Sequence, residues 1–233
     1  MSIKMKINNK TKIRIAFNKE EVLRNSGVNV IIDLFRFSAT VACLLERKKD
    51  IRIFSNTELA VYTFKNLKNS ELYSEIDLSV DKFDNSPYMA RNCSDPSKTA
   101  IIVTNSGSKA VMNSISAKEI LIAGFHNMPY VIDYLKDKEN ILFVPACLFF
   151  DRTHREDFVA CEVFYHYLLE GFNREKYMEI HKCGRIMDLL NFRPKTAKED
   201  LEIILKIGGI KIIPKAVILG TYAKAEKARE INK

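Results

Sequence analysis

The sequence contains no tryptophan among its 233 residues. It has no basic run interleaved with stacking aromatics, so the usual means of gripping a nucleic acid is missing and no nucleic-acid partner is expected. No stretch approaches the roughly 18–20 apolar residues that a membrane span needs, which leaves no membrane partner either. The opening MSIKMKINNKTKIRI lacks the apolar run of a secretory signal, and the cytoplasm is the expected compartment. Five cysteines, an odd set without a CxxC pair, exclude a disulfide framework and a zinc knuckle. The four histidines include no HxxxH pair, which argues against a zinc site built from neighbouring side chains. No internal repeat or low-complexity linker divides the chain, so one α/β domain over residues 1–233 is expected, with two lobes (1–140 and 141–233) on a shared core as the alternative.

What is present suits a folded protein: 47% hydrophobic and 28% charged residues, with a net charge of +8. That positive balance fits a small anionic ligand. The tail KAEKAREINK interleaves Glu226 and Glu230 with lysines and reads as a solvated helix face, while IKMKI near the start reads as an edge strand. Between them, apolar runs alternate with helical patterns. Strands are expected at Val28–Ile32, Ile51–Phe54, Thr99–Thr104, Glu119–Ala123 and Asn140–Val144. Helices are expected at Phe37–Glu46, Thr57–Leu67, Ser108–Ser116, Met128–Asp137 and Asp157–Leu169. This alternation predicts a mixed or mostly parallel sheet with helices on both faces. In the last third, Asn173–Leu190 and Thr196–Ile207 read as helices. Ile210–Leu219 reads as a strand that Pro214 confines to a sheet edge.

Ligands of open α/β sheets sit beyond the carboxyl ends of the strands. Asp33 and Arg36 follow the first of these strands. Thr104, Asn105, Gly107 and Ser108 follow another; Glu156 and Asp157 lie beyond a third; and Asp84-Asn85-Ser86-Pro87 forms an extended segment. Each has a plain structural reading. Asp33 suits a helix N-cap, Thr104–Ser108 a capped turn, Asn85-Ser86-Pro87 a turn, and Glu156-Asp157 the favourable end of a helix dipole. Thr104–Ser108 also lacks the glycine and lysine placement of a P-loop. Cys147 precedes Arg152 by five positions, one short of a phosphatase cysteine cradle. Only the joint appearance of these groups favours a site.

Together they resemble the 2-phosphosulfolactate phosphatase (ComB-like) family. Val30-Ile31-Ile32-Asp33-Leu34-Phe35-Arg36-Phe37-Ser38-Ala39-Thr40 is similar to that family's V-I-D-V-L-R-A-T-T-T segment. Asn85-Ser86-Pro87 resembles its G-N-S-P, and Thr104-Asn105-Ser106-Gly107-Ser108 its T-T-N-G-T turn. Glu156-Asp157 resembles its E-D pair, Cys183-Gly184-Arg185 its S-G-R, and Glu199-Asp200-Leu201 with Ile213-Pro214 its E-D-L…V-P stretch. The resemblance implies magnesium-dependent hydrolysis of a phosphate monoester on a small anionic acid, of the kind that yields sulfolactate on a route to coenzyme M. Its alternative is a catalytically altered member that binds an anionic ligand or a protein partner.

On this reading the catalytic candidates are Asp33, Arg36, Glu156 and Asp157. The substrate-binding candidates are Asn85, Ser86, Thr104, Asn105, Gly107, Ser108 and Arg185. Asp33, Glu156 and Asp157 would serve magnesium, a hard cation that takes one or two carboxylates plus water and substrate oxygens. The attacking group is either a metal-bound water or a carboxylate such as Asp33. One departure stands out: where the family has a small, glycine-containing loop, this chain has the bulky Pro145–Phe150. Phe149 or Phe150 is expected to pack on the Asp157–Leu169 helix or on a second subunit, which makes a homodimer an expected partner.

Overall fold

The computed structural model describes residues 12–228. In chain order the elements are β1 (Ile13–Ile15), α1 (Lys19–Arg24), β2 (Val28–Ile32), α2 (Phe37–Glu46), β3 (Ile51–Phe54), α3 (Thr57–Asn66) and β4 (Ser70–Tyr73). There follow α4 (Pro87–Asn92), β5 (Thr99–Val103), α5 (Gly107–Met112), β6 (Glu119–Ala123), α6 (Met128–Leu135), β7 (Ile141–Pro145) and α7 (Glu156–Glu170). The chain closes with α8 (Arg174–Met178), α9 (Arg185–Phe192), α10 (Ala197–Leu205), β8 (Pro214–Leu219) and β9 (Tyr222–Lys227).

Among the described residues all nine strands join one mixed, mostly parallel sheet in the order β1-β7-β2-β6-β8-β9-β3-β5-β4. Alternate strand residues feed cores on opposite faces: Ile31 packs with α2 and α5, while Val30 and Ile32 pack with α6 and α7. A third cluster, around Phe54 and Ile101, is closed by Ala60 of α3. The α/β architecture with helices on both faces is as the alternation of patterns predicts.

The sheet consists of two parallel blocks, β1-β7-β2-β6 and β3-β5-β4, joined by the β8–β9 hairpin. The hairpin pairs antiparallel to β6 on one side and to β3 on the other.

Several expectations are corrected. Ile210–Leu219 is no edge strand. Pro214 is the first residue of β8, where its missing N–H is tolerated, and the strand lies between β6 and β9. The tail read as a solvated helix is strand β9 as far as Lys227; Ala223 and Ala225 are buried while Lys224 and Glu226 face outward. Period-2 alternation of small and charged residues satisfies either reading until a partner strand is supplied. Glu230 and the IKMKI segment lie outside the described residues. The single helix expected over Asn173–Leu190 is broken by a 3-10 turn at Glu179–Lys182 and by Gly184, whose φ of +76° caps the start of α9.

Candidate active site

The carboxyl tips of β2, β5 and β7, the loop after β4 and one face of α9 enclose a cavity of about 280 Å³. Asp33 is at its floor, the first residue past β2. Its Oδ1 accepts the Phe37 N–H at 3.4 Å and its Oδ2 the Ser106 hydroxyl at 2.7 Å. The N-cap position of α2 is Arg36, not Asp33; the Asp33 carboxyl accepts the first helical N–H from four residues upstream and also faces the cavity. Burial pushes its pKa up, opposed by the hydrogen bonds from Ser106, Phe37 and Gly107 and by the charge of Arg185. Gly107 is required here by close approach. A Cβ at that position would lie 2.3 Å from Phe37 Cδ1 and 2.7 Å from Asp33 Oδ2.

Glu156 and Asp157 open α7 from across β7. Both Asp157 oxygens are engaged, Oδ1 by the Leu34 N–H and Oδ2 by the Cys147 N–H, each at 2.9 Å. Asp157 thus straps the loop after β2 to the loop after β7. Burial, then the charges of Asp33 and Glu156, raise its pKa well above the usual carboxylate range. Glu156 Oε1 lies 3.2 Å from Arg185 Nε, while its buried Oε2 has no partner. Burial pushes the Glu156 carboxyl up to about 7, with its own backbone N–H and Arg185 opposing and Asp33 adding to the rise.

Arg36 is 3% exposed and reaches the cavity between two carboxylates, Asp200 at 2.9 Å and Asp84 at 2.7 Å. Asp200 also accepts the Ser86 hydroxyl at 2.6 Å, the Tyr88 N–H at 3.0 Å and the Thr196 hydroxyl at 3.0 Å. This joins the start of α10 to the cap of α4.

The structure therefore gathers Asp33, Arg36, Asn85, Asn105, Glu156, Asp157 and Arg185 around one cavity. Ser86, Thr104, Gly107 and Ser108 are placed behind its wall. Thr104 and Ser108 hydrogen-bond each other through backbone and hydroxyl groups at 2.9 Å, so the plain turn reading describes their contacts. Ser86 caps α4.

Residues absent from the sequence-based set also line the cavity, among them Glu75, Cys147, Phe150, His154, Asp188 and Arg193. The loop Pro145–Phe150 divides. Leu148 and Phe149 enter the core beside Ala110 and Val111 of α5, away from the buried stripe of α7, whereas Phe150, 56% exposed, forms an apolar wall of the cavity. Within the chain Leu148 and Phe149 pack on α5, and Phe158 of α7 packs against the same cluster.

The donor set was tested against the magnesium implied by the resemblance. Among the described residues no three His, Cys, Asp or Glu side chains are grouped so as to cage a metal. A largely hydrated cation needs less, one or two carboxylates with a free oxygen, and Asp33 with the unpartnered Glu156 Oε2 meets that need. Asp157, with both oxygens bound to amides, is the poorer ligand.

Residues 16–217 match the family model for 2-phosphosulpholactate phosphatase. A probable 2-phosphosulfolactate phosphatase of Thermoplasma volcanium is 28% identical over 209 residues, covering 88% of this chain and 96% of that protein. One from Clostridium tetani is 24% identical, covering 84% and 91%. One from Thermotoga maritima is 40% identical over 62 residues, 27% of either chain. Among the described residues no helix is long and apolar enough to cross a membrane.

Proposed function

Because this chain belongs to the 2-phosphosulfolactate phosphatase family, we propose that its cavity hydrolyses the phosphate monoester of a small sulfonated or carboxylated hydroxy acid, with magnesium as cofactor. The observation that supports this most is the convergence on Asp33 of guanidinium groups and of carboxyl oxygens without partners. Ester hydrolysis needs both: cationic donors for the anionic groups and oxygens free to serve a cation and a water.

Asp33 and Glu156 would hold the magnesium, which when bound neutralises phosphoryl charge and acidifies a coordinated water. The chain supplies the rest. Arg36 is fixed by Asp84 and Asp200, so its remaining donor edge is pre-aligned and loses little entropy on binding an oxyanion. Arg185 bridges Glu156 and Asp188 and offers a second guanidinium on the opposite wall. Asp33 is held by hydrogen bonds from Ser106, Phe37 and Gly107, which fix the direction in which its carboxyl faces the cavity. Phe150 and Leu189 give the cavity an apolar edge beside its charged groups.

The test is phosphate release from a panel of phosphorylated hydroxy acids, with and without magnesium. Release that requires magnesium, and that falls by roughly 100-fold or more in Asp33→Asn, is expected. Thermal stabilisation by these acids without release would instead identify an anion-binding member of the family.

A further inference from the structure

Glu75 is in the loop after β4, a residue that neither the motifs nor the helix starts mark. Its Oε1 accepts the Asn105 N–H at 2.6 Å, and its Oε2 is buried without any partner. Asn85, 3% exposed, likewise has a buried Oδ1 with no donor. Both residues line the cavity on the wall that also carries Arg193, and both oxygens are acceptors. A buried acceptor left unpaired keeps its full desolvation cost, so two on one wall call for a donor or a cation from outside the chain.

The charge balance selects between these. Asp33, Glu75, Glu156, Asp157 and Asp188 face the cavity against three guanidiniums. Those guanidiniums are already matched: Arg36 by Asp84 and Asp200, Arg185 by Glu156 and Asp188, and Arg193 by Asp84. A polyanionic ester entering this cavity brings further negative charge beside five carboxyls, and a cation relieves that crowding where a neutral donor does not. The Asn105 N–H holds Glu75 and the hydroxyl of the next residue, Ser106, holds Asp33 at 2.7 Å, so Asp33 adjoins the Glu75 wall in the cavity that Glu156 also lines.

The geometry points to a second divalent-cation site on the Glu75 wall, formed by Glu75 Oε2 and Asn85 Oδ1 and sharing Asp33 with the cation on the Glu156 side. Ions of the magnesium type keep much of their water shell, so two or three protein oxygens each are enough. Two such ions on either side of a shared carboxylate would clamp the attacking and leaving oxygens of one phosphoryl group. The assignment to phosphoryl chemistry rests on the function proposed above; the cation site itself does not.

The experiment is a titration of the full chain with manganese alone, followed by electron paramagnetic resonance and calorimetry, without substrate. Wild type is expected to bind two equivalents, with a spectrum showing spin coupling between the ions. Glu75→Gln preserves the acceptor for the Asn105 N–H and is expected to bind one equivalent with no coupling. Asn85→Asp adds charge at the Oδ1 position and is expected to bind the second equivalent at least several-fold more tightly. A single equivalent in wild type, or two coupled ions retained in Glu75→Gln, or weaker binding in Asn85→Asp with an unchanged circular dichroism spectrum, would overturn the proposal. Two manganese ions in a protein that releases no phosphate from any ester would leave the cation site standing and remove the phosphatase reading.

Discussion

Glu156 and Asp157 are neighbours in sequence, yet their oxygens do different work. Glu156 has one oxygen free in the cavity, and burial holds its carboxyl near 7 against an ordinary value of 4.5. The native state therefore binds more protons than the unfolded chain between those values. Stability contributed by the protonated carboxyl is complete below about pH 4.5 and is lost as pH rises through about 7. Glu156→Gln removes this loss. In metal-free buffer its melting temperature should gain on wild type from pH 5 to pH 8, by the equivalent of roughly 3 kcal/mol at most. Added magnesium should narrow the gap by favouring the ionised wild-type carboxylate. A gap that does not change with pH would show that Glu156 titrates normally. Asp157 should behave otherwise. Asp157→Asn leaves one acceptor oxygen for the two amide donors of Leu34 and Cys147. A loss of about 1–3 kcal/mol in urea unfolding is expected at low pH, where the carboxyl is protonated in both states, and the loss should shrink as pH rises because burial raises the Asp157 pKa.

At the scale of elements, the site depends on how strands hand over to helices. The start of α5 presses on the start of α2 through Gly107, and Gly107→Ala would drive its Cβ into Phe37 and the Asp33 carboxyl. Overpacking of that kind costs about 1–3 kcal/mol, and phosphate release should fall more than thermal stability does, because Asp33 is the group displaced. Equal losses in both would make Gly107 a packing residue only. These handovers were readable in sequence because β2 and β5 are short β-branched runs followed at once by the polar Asp33 and Thr104, and β6 and β7 are apolar runs of the kind buried parallel strands impose. Ser70–Tyr73 reads differently: Glu71 interrupts the run, and its carboxylate is buried because Lys49, the Tyr73 hydroxyl and the Asp95 N–H all bond it. With β4 unread, Glu75 at its tip went unread too. The α4 helix is a single short turn begun by Ser86-Pro87, and its stability comes from Asp200, more than a hundred residues away. No local signal announces such a contact.

At the scale of the molecule, the two parallel blocks run in opposite directions across the β8–β9 hairpin, yet the tips of β2 and β5 meet at one cavity. Helix packing reconciles the two facts: α5, which follows β5, lies against β2 and against the turn after β7, and so brings Ser106 to Asp33. The site is therefore divided: Asp33, Glu156 and Asp157 belong to one block, Glu75 and Asn105 to the other. Among the described residues the only strand pairing between the blocks passes through the hairpin, whose Ala216, Ala223 and Ala225 also fill the larger core. A chain ending at Ile213 lacks both middle strands. It exposes the edges of β3 and β6 and removes the spacer that sets the angle between the blocks. Each block keeps its own helices, so much of the far-ultraviolet circular dichroism should survive. The cooperative urea transition should be lost and binding of an apolar dye should rise, as expected when secondary structure outlasts fixed packing. Cation binding should vanish with the transition, since neither block alone carries both walls. A truncated chain that still unfolded in one sharp step and still bound manganese would mean that helices, rather than the hairpin, hold the two walls in register.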